Sequence, residues 1–497
     1  MAMRVTGMYS GLDTESIIQE LVAAKQTKVD DAKKEQTKLE WKQEAWKTLN
    51  DKIKKLYNGA LDIIKYESSF KKKTTVLSDS SFADVVTGDN AMLSVQTLKI
   101  KQMAKTGYLT GAEVQTGDGE KATSGTLLKD LGVEVGSSFT IKTGGKETTI
   151  TVDEKTTIAS LTSQLTAAGV NANFDSSTQR FFIGASESGK DADFSFAAAD
   201  EAGERALEAL GLTGAGSTKI SGQDAEIELN GATFTSSDNT FEINGLTITC
   251  KAETGAKELT MTTQVDTSGI YDMIKNFITE YSSLINEMDK LYNAESSKGY
   301  EPLTDEEKDA MSESEIEKWE SKIKDSLLRR DSTLSTVSTT FKQIMASGFE
   351  VNGKTMYLFD FGIETAGYFN AADNEKNAYH IKGDADDATY SSDENKLQAM
   401  INADPDAVAG FFTQLSRTLY DKITEMTSSV KDYRSYGNVY DDLKMKSDYE
   451  DYDTKISDLE KKLRDYEDKW YAKFAAMETA MAKMQSNSSA ITSLLGG

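Results

Sequence analysis

Both ends of the chain carry apolar residues at coiled-coil spacing, and this pattern restricts the fold more than any other feature. Near the start, Ile18 and Leu21 open a register that passes through Ala32 and Leu39. It tightens at Trp46, Leu49, Ile53, Leu56, Ala60 and Ile63, where steps of 3 and 4 residues alternate. Toward the end, Tyr449, Tyr452, Ile456, Leu459, Leu463, Tyr466 and Trp470 alternate in the same way. Phe474 follows after another step of 4, a stutter that relaxes left-handed supercoiling, and Met477, Met481 and Met484 resume the pattern. Ser488, Ile491 and Leu495 keep its phase. Two long helices are expected, packed together by Trp46 and Trp470. Lys25, Lys28, Glu35 and Lys42 fill the other seam positions before Trp46, so that portion should pack weakly. Segments 1–35 and 484–497 are expected to find nothing in the monomer to bury against, and an unpaired apolar strip implies a partner.

The stretch SGLDTESIIQELVAAK (10–25) reads as a helix start. Asp13 can cap, Glu15 sits in the positive first turn, and Ile17, Ile18, Leu21 and Val22 share a face. It has neither the layout of a secretory signal nor an apolar run long enough to span a bilayer. The 497 residues suggest several domains, and a formal net charge of −25 argues against nucleic acid and anionic membrane surfaces as partners. The charge is uneven: residues 1–66 hold 12 Lys/Arg and 10 Asp/Glu, a net of +2, so the acidity lies further on. One Cys and one His can build neither a disulfide framework nor a zinc site, and two Pro are compatible with long helices.

The middle of the chain changes character. Residues 105–265 are rich in Thr, Ser and Gly with alternating apolar positions. SSFTIKTGGKETTITV (137–152) is a hairpin turning at Gly144-Gly145, followed by a short helix stopped by Gly169 and a second hairpin turning near Asp175. Segment 225–253 is a further β region with turns at Asn230-Gly231 and Asn244-Gly245, and 91–104 is a strand suited to pair with it. Helices return at 271–292 and 301–330, where Glu320/Lys324 form a pair four residues apart. Pro405 should open a short helix. The fold class is α+β: an elongated molecule whose helical coiled-coil or bundle leg is built from both termini, with β-rich head domains inserted between them.

No catalytic constellation stands out. GLTGAGSTK (211–219) lacks the phosphate-loop pattern and reads as a loop. DADD (384–387) resembles half a calcium loop but has Asn395 where the twelfth ligand belongs, and reads as a solvated acidic turn. His380 reads as a surface or packing residue, and Cys250, in an alternating strand, as a buried thiol. An enzyme, a metal site and a cofactor are not expected.

SGLDTESIIQELVAAK, LEWKQEAWKTLNDKIKKL (39–56), the hairpin-helix-hairpin of 136–175, and segments 225–250, 266–292, 301–334 and 471–495 together resemble the flagellar filament cap family, hook-associated protein 2. The resemblance runs in order along nearly the whole chain. It implies a ring-forming homo-oligomer at the filament tip that retains exported flagellin and helps it fold and polymerise. Implied partners are flagellin, hook–filament junction proteins, the flagellar type III export apparatus and an export chaperone. The implied location is extracellular, without a cleaved signal peptide. An alternative is a surface adhesin that holds host ligands such as mucin. The implied organisation is a terminal leg helix (1–40), a leg helix (41–70), a β-rich head domain (71–105 and 222–265), an inserted outer head domain (106–221), a helical leg domain (266–483) and a terminal tail (484–497). Leu12, Ile17, Ile18, Leu21, Ile491, Leu494 and Leu495 are the expected filament contacts. Trp46, Leu49, Ile53, Leu56, Tyr466, Trp470, Phe474, Met477 and Met481 are the expected internal leg bundle. The acidic segment 364–395 has no assigned role.

Overall fold

The computed structural model describes residues 11–367, 369 and 371–495, with side chains through Thr492. The chain divides into two compact units: one joins Met1–Phe70 to Thr267–Gly497, and the other is Lys71–Asp266. Helix α1 (Thr14–Asn58) starts at Asp13, whose side chain accepts from the Ser16 amide at 3.1 Å. It passes residue 40 unbroken and stops at Gly59, where a Cβ would lie 2.6 Å from the Lys55 carbonyl oxygen. Helix α2 (Ala60–Ile64) follows. The break shifts the phase of the stripe, so Leu61 and Ile64 are buried whereas Ile63, expected inside, is exposed.

In the unit Lys71–Asp266 every strand pairing is antiparallel. Its elements are β1 (Lys73–Leu77), β2 (Ala83–Thr87), β3 (Ser94–Gln102), β4 (Thr106–Thr110), β5 (Ser138–Thr143), β6 (Lys146–Thr151), α3 (Ile158–Ala168), β7 (Val170–Asp175), β8 (Arg180–Ser188), β9 (Phe194–Ala198), α4 (Glu201–Ala209), β10 (Thr218–Ile220), β11 (Ala225–Leu229), β12 (Ala232–Ser236), β13 (Thr240–Ile243), β14 (Leu246–Cys250) and β15 (Leu259–Val265). Two sheets, β1-β15-β3-β11-β12 and β13-β14-β2, bury Leu98, Ile100, Ile227, Ile248 and Met261 in one core. The sheets β10-β4-β8-β7 and β6-β5-β9, with α3 and α4, bury Phe139, Ile141, Leu161, Leu165, Phe181 and Ile183 in another.

The turns follow from local chemistry. Asn230-Gly231 and Asn244-Gly245 hold φ of 51°, 80°, 49° and 77°, the left-handed pairs a type I′ hairpin needs. The hairpins flanking α3 enter different sheets: β5–β6 pairs onward with β9, and β7–β8 with β4. Cys250 is buried in β14, and burial pushes its thiol up to about 11, so little thiolate exists at neutral pH.

The chain then returns as α5 (Thr267–Tyr292), α6 (Asp305–Asp309), α7 (Glu313–Asp325), α8 (Ser332–Met345), β16 (Phe349–Val351), β17 (Lys354–Met356), β18 (Ile363–Thr365), β19 (Tyr379–Ile381), α9 (Lys396–Ala403), α10 (Pro405–Met426) and α11 (Asp442–Leu495). Segment 301–330 is two helices, because a second capping box at Ser312 and Glu315 restarts the chain after α6. Pro405 opens α10 at its first turn, but the helix runs 22 residues and is not short, since Phe411, Phe412, Leu415 and Leu419 keep one face in the core. Phe361 joins them, 4.7 and 5.3 Å from the rings of Phe411 and Phe412.

Part of the acidic segment 364–395 is strapped along α5. Lys275 pairs with Asp384 and Asp386, each at 2.6 Å. Ser282 Oγ accepts from the Tyr379 amide at 2.9 Å and donates to its carbonyl at 3.1 Å. Asp289 accepts from Asn377 at 2.7 Å, and His380 Nδ1 lies 2.7 Å from Asp387. The turn at 384–387 is therefore not merely solvated: Asp384 is buried by the cation it neutralises.

Two outcomes test this description. Phe181→Ala should destabilise the Lys71–Asp266 unit by about 3–5 kcal/mol in chemical denaturation, the cost of emptying a phenyl site in a closed core. Acid should loosen the strap. Hydrogen bonding to Lys275 holds the Asp386 carboxyl below its ordinary value of 3.8, so its contribution is complete above that pH and is lost as pH falls through the lowered value. Burial opposes the Lys275 charge, yet the two carboxylates raise its pKa above 10.5, so the lysine keeps its proton until strongly alkaline pH. Amide exchange over 379–387, corrected for intrinsic rates, should be faster at pH 3 than at pH 5.

The terminal helix pair as candidate functional site

α1 and α11 run antiparallel, and cross-helix contacts define the register. The Tyr471 hydroxyl lies 2.7 and 2.8 Å from the Glu15 carboxylate oxygens. The Lys25 ammonium sits 5.6 Å from the Tyr466 ring centre, Lys33 pairs with Glu460 at 2.8 Å, and Gln36 donates to Asp453. At the far end Trp46 stacks on Tyr440 with ring centres 5.5 Å apart and planes within 9°. There Asn50 donates to Asn438 Oδ1 at 2.9 Å and accepts from the Val439 amide at 3.0 Å. A buried amide so satisfied fixes where the loop before α11 meets α1.

The opposite side of α1 is zipped by lysines to the acidic helices: Lys34 to Glu307 at 2.9 Å, Lys42 to Asp331 at 2.9 Å, Lys52 to Glu287 at 3.0 Å and Lys55 to Glu280 at 3.3 Å. Lys38 also contacts Glu301. A backbone hydrogen bond from Thr304, then Lys34, hold the Glu307 carboxyl below its usual range, and Lys33 does the same for Glu460.

The expected site residues separate into three groups. Trp46, Leu49, Ile53 and Leu56 are buried. Tyr466, Trp470, Phe474 and Met477 are half-buried on α11, and the register sets them beside the first turns of α1. Trp470 does not pack with Trp46. The antiparallel register leaves about 45 Å of helix between them, at 1.5 Å per residue. Ile18 is 1% exposed, Val29 and Ala32 are buried and Ile17 is half-buried, so part of 11–35 does find cover within the chain, and residues 1–10 lie outside the described residues. Leu12, Leu21 and Met481 are exposed, as are Met484 at 71% and Ile491 at 56%. Leu494 and Leu495 lie outside the residues whose side chains are described.

Val29 and Asn50 were not expected as packing residues. Val29 stands next to Lys28, which the heptad count places in the seam, so that count passes over it. Asn50 carries no local signal, because its partners lie 387–389 residues away. Beyond Tyr471, α11 continues for 24 residues, about 36 Å, with Met477, Met481, Met484 and Ile491 at alternating spacing. An apolar stripe of this kind is suited to helix docking. Among the described residues no cluster of His, Cys, Asp and Glu could hold a metal ion, and no helix is long and apolar enough to cross a membrane.

Comparison with known proteins gives the family. The family model described as Flagellar hook-associated protein 2 C-terminus matches residues 222–486, and that of the N-terminus matches 10–107. Flagellar hook-associated protein 2 of Halalkalibacterium halodurans is 26% identical over 438 residues, covering 82% of this chain and 78% of that protein. The A-type flagellar hook-associated protein 2 of Pseudomonas aeruginosa is 25% identical over 457 residues, covering 86% and 84%. Among solved structures, the D1-D2-D3 domains of the flagellar cap protein FliD from Escherichia coli share 18% identity at a TM-score of 0.45, covering 77% of this chain and 97% of that one. At that score the overlap adds nothing to the assignment. The sequence model alone spans more than half of the residues, and the chain belongs to the flagellar hook-associated protein 2 family.

Proposed function

We propose that the protein caps the distal tip of a bacterial flagellar filament. It acts there as a homo-oligomeric ring that retains exported flagellin and promotes its folding and polymerisation. The observation that carries this reading is the family match over 222–486, accompanied by 10–107 at the other end. The exposed apolar residues along the end of α11 suit the role, since a helix face of that kind is completed by helices of another subunit. In this reading Leu12, Ile17, Leu21, Met484, Ile491, Leu494 and Leu495 contact flagellin, and hook–filament junction proteins are neighbours during assembly. Passage outward is through the flagellar type III apparatus with an export chaperone. A chain with one cysteine suits that route, because no disulfide has to form on arrival. None of the relatives named above is described as an adhesin, and no observation favours a host mucin as ligand.

Two variants test the reading in a strain lacking its own copy of this protein. Deletion of 1–30 should abolish filament growth and leave flagellin as monomer in the medium. The purified variant should keep the Lys71–Asp266 unit folded, read by its thermal transition. Met484→Asp combined with Ile491→Asp should leave the monomer as stable as the parent, because both side chains are exposed, yet shorten or eliminate filaments in electron micrographs. Filaments of normal length from either variant would remove the terminal helices from the assembly surface.

A further inference from the structure

Tyr57 on α1 and Tyr420 on α10 lie face to face, ring centres 4.1 Å apart and planes 14° from parallel. The Lys65 ammonium sits 3.3 Å from the centre of the Tyr420 ring, so it covers one face of that ring and Tyr57 the other. The Tyr57 hydroxyl is 2.9 Å from Thr424 Oγ1. Burial pushes the Tyr57 phenol up, while hydrogen bonding from Tyr57 and then Lys65 draws the Tyr420 phenol down. A near-parallel stack with ring centres 4.1 Å apart holds the carbons of the two phenol rings, the Cε positions included, within short reach of one another. Both side chains are half-buried, so a small reagent reaches them while the helices hold them in place. Tyr436, 74% exposed and near enough to act on the Tyr57 phenol, offers an outer point of electron loss. A second tyrosine pair, Tyr281 with Tyr379, is 6.0 Å apart and tilted by 56°, with Tyr281 fully buried.

We propose that Tyr57 and Tyr420 form a site of oxidative modification, closing to an intrachain dityrosine under a one-electron oxidant. Each phenol gives up one electron and one proton to become a phenoxyl radical. A carbon–carbon bond forms between the two Cε atoms. The hydrogens on those carbons then move to the oxygens as both phenols re-form. The net loss is two protons and two electrons, the electrons going to two equivalents of the oxidant, and no oxygen atom is added. The product is a covalent link between α1 and α10 across 363 positions of sequence. The inference rests on side-chain geometry within one unit and is independent of the flagellar assignment.

The test is photo-oxidation of the dilute full-length chain with tris(bipyridine)ruthenium(II) and persulfate. Expected are an intact monomer lighter by two hydrogen atoms, dityrosine fluorescence, and a cross-linked peptide in the proteolytic map that joins Tyr57 to Tyr420. Tyr57→Phe and Tyr420→Phe should each remove that peptide and lower the fluorescence, and Tyr379→Phe should change neither. Circular dichroism confirms that each variant is folded, and the map of the unsubstituted chain stands without them. A map that lacks the Tyr57–Tyr420 peptide, or in which other tyrosine pairs dominate, overturns the proposal, as does fluorescence unchanged in Tyr57→Phe.

Discussion

One buried amide and one aromatic stack set the course of the longest helix. Asn50 holds Asn438 and Val439 against α1, and Trp46 stacks on Tyr440 beside them. These contacts fix the point and direction from which α11 departs. A helix of 54 residues is a stiff lever of about 80 Å at 1.5 Å per residue, so a small change at its root moves its far end by many ångströms. The antiparallel register, the meeting of Glu15 with Tyr471 and the length of α11 beyond α1 all follow from that anchorage. Arg434 supports the anchor, donating to Asp441 at 3.2 Å, as does Ser435, whose amide donates to Asp442 at 2.8 Å.

Charge aligns α1 with its neighbours along most of its length. The surrounding helices are acidic and α1 supplies lysines to them, Lys34, Lys42, Lys52 and Lys55 each meeting a carboxylate. Exposed pairs contribute at most about 1 kcal/mol each and weaken with salt, so they fix alignment more than they stabilise. The bulk of the stabilisation comes from the turns around Trp46, Leu49, Ile53 and Leu56, where large apolar side chains leave water completely.

What could be read from the sequence and what could not divide along sequence separation. Helical stripes and the Asn-Gly turns are local signals, and the hairpins β11–β12 and β13–β14 fold where those turns place them. Cys250 follows from simple alternation along its strand. The strap over α5 could not be read, because Asp384 and Tyr379 gain their meaning from Lys275 and Ser282, about a hundred positions earlier. The misplaced meeting of Trp46 and Trp470 has the same origin. Periodicity states which face of a helix is apolar, but the offset between two helices is set by the loop joining α10 to α11, whose hydrogen bonds have no periodic signature. The break at Gly59 could be read only in part: a glycine marks a weak point, and it takes the approach of the Lys55 carbonyl to show that no other residue fits there.

The two halves of α1 therefore differ in how readily they open. Between Thr14 and Lys42 the buried apolar side chains are Ile18, Val29 and Ala32, spread over four heptads, and polar pairs complete the contact. From Trp46 to Leu56 four large apolar side chains are buried within three turns. At about 1.5–3 kcal/mol for each fully buried large side chain, the second stretch resists local opening by several kcal/mol more than the first over an equal length. A helix built this way opens at its tip before its root. Leu21 on α1 and Met484 and Ile491 on α11, all exposed, lie at the end where separation costs least. The low apolar content of the seam and the apolar residues turned outward are thus two aspects of one design: a pair of helices held firmly at one end and loosely at the other.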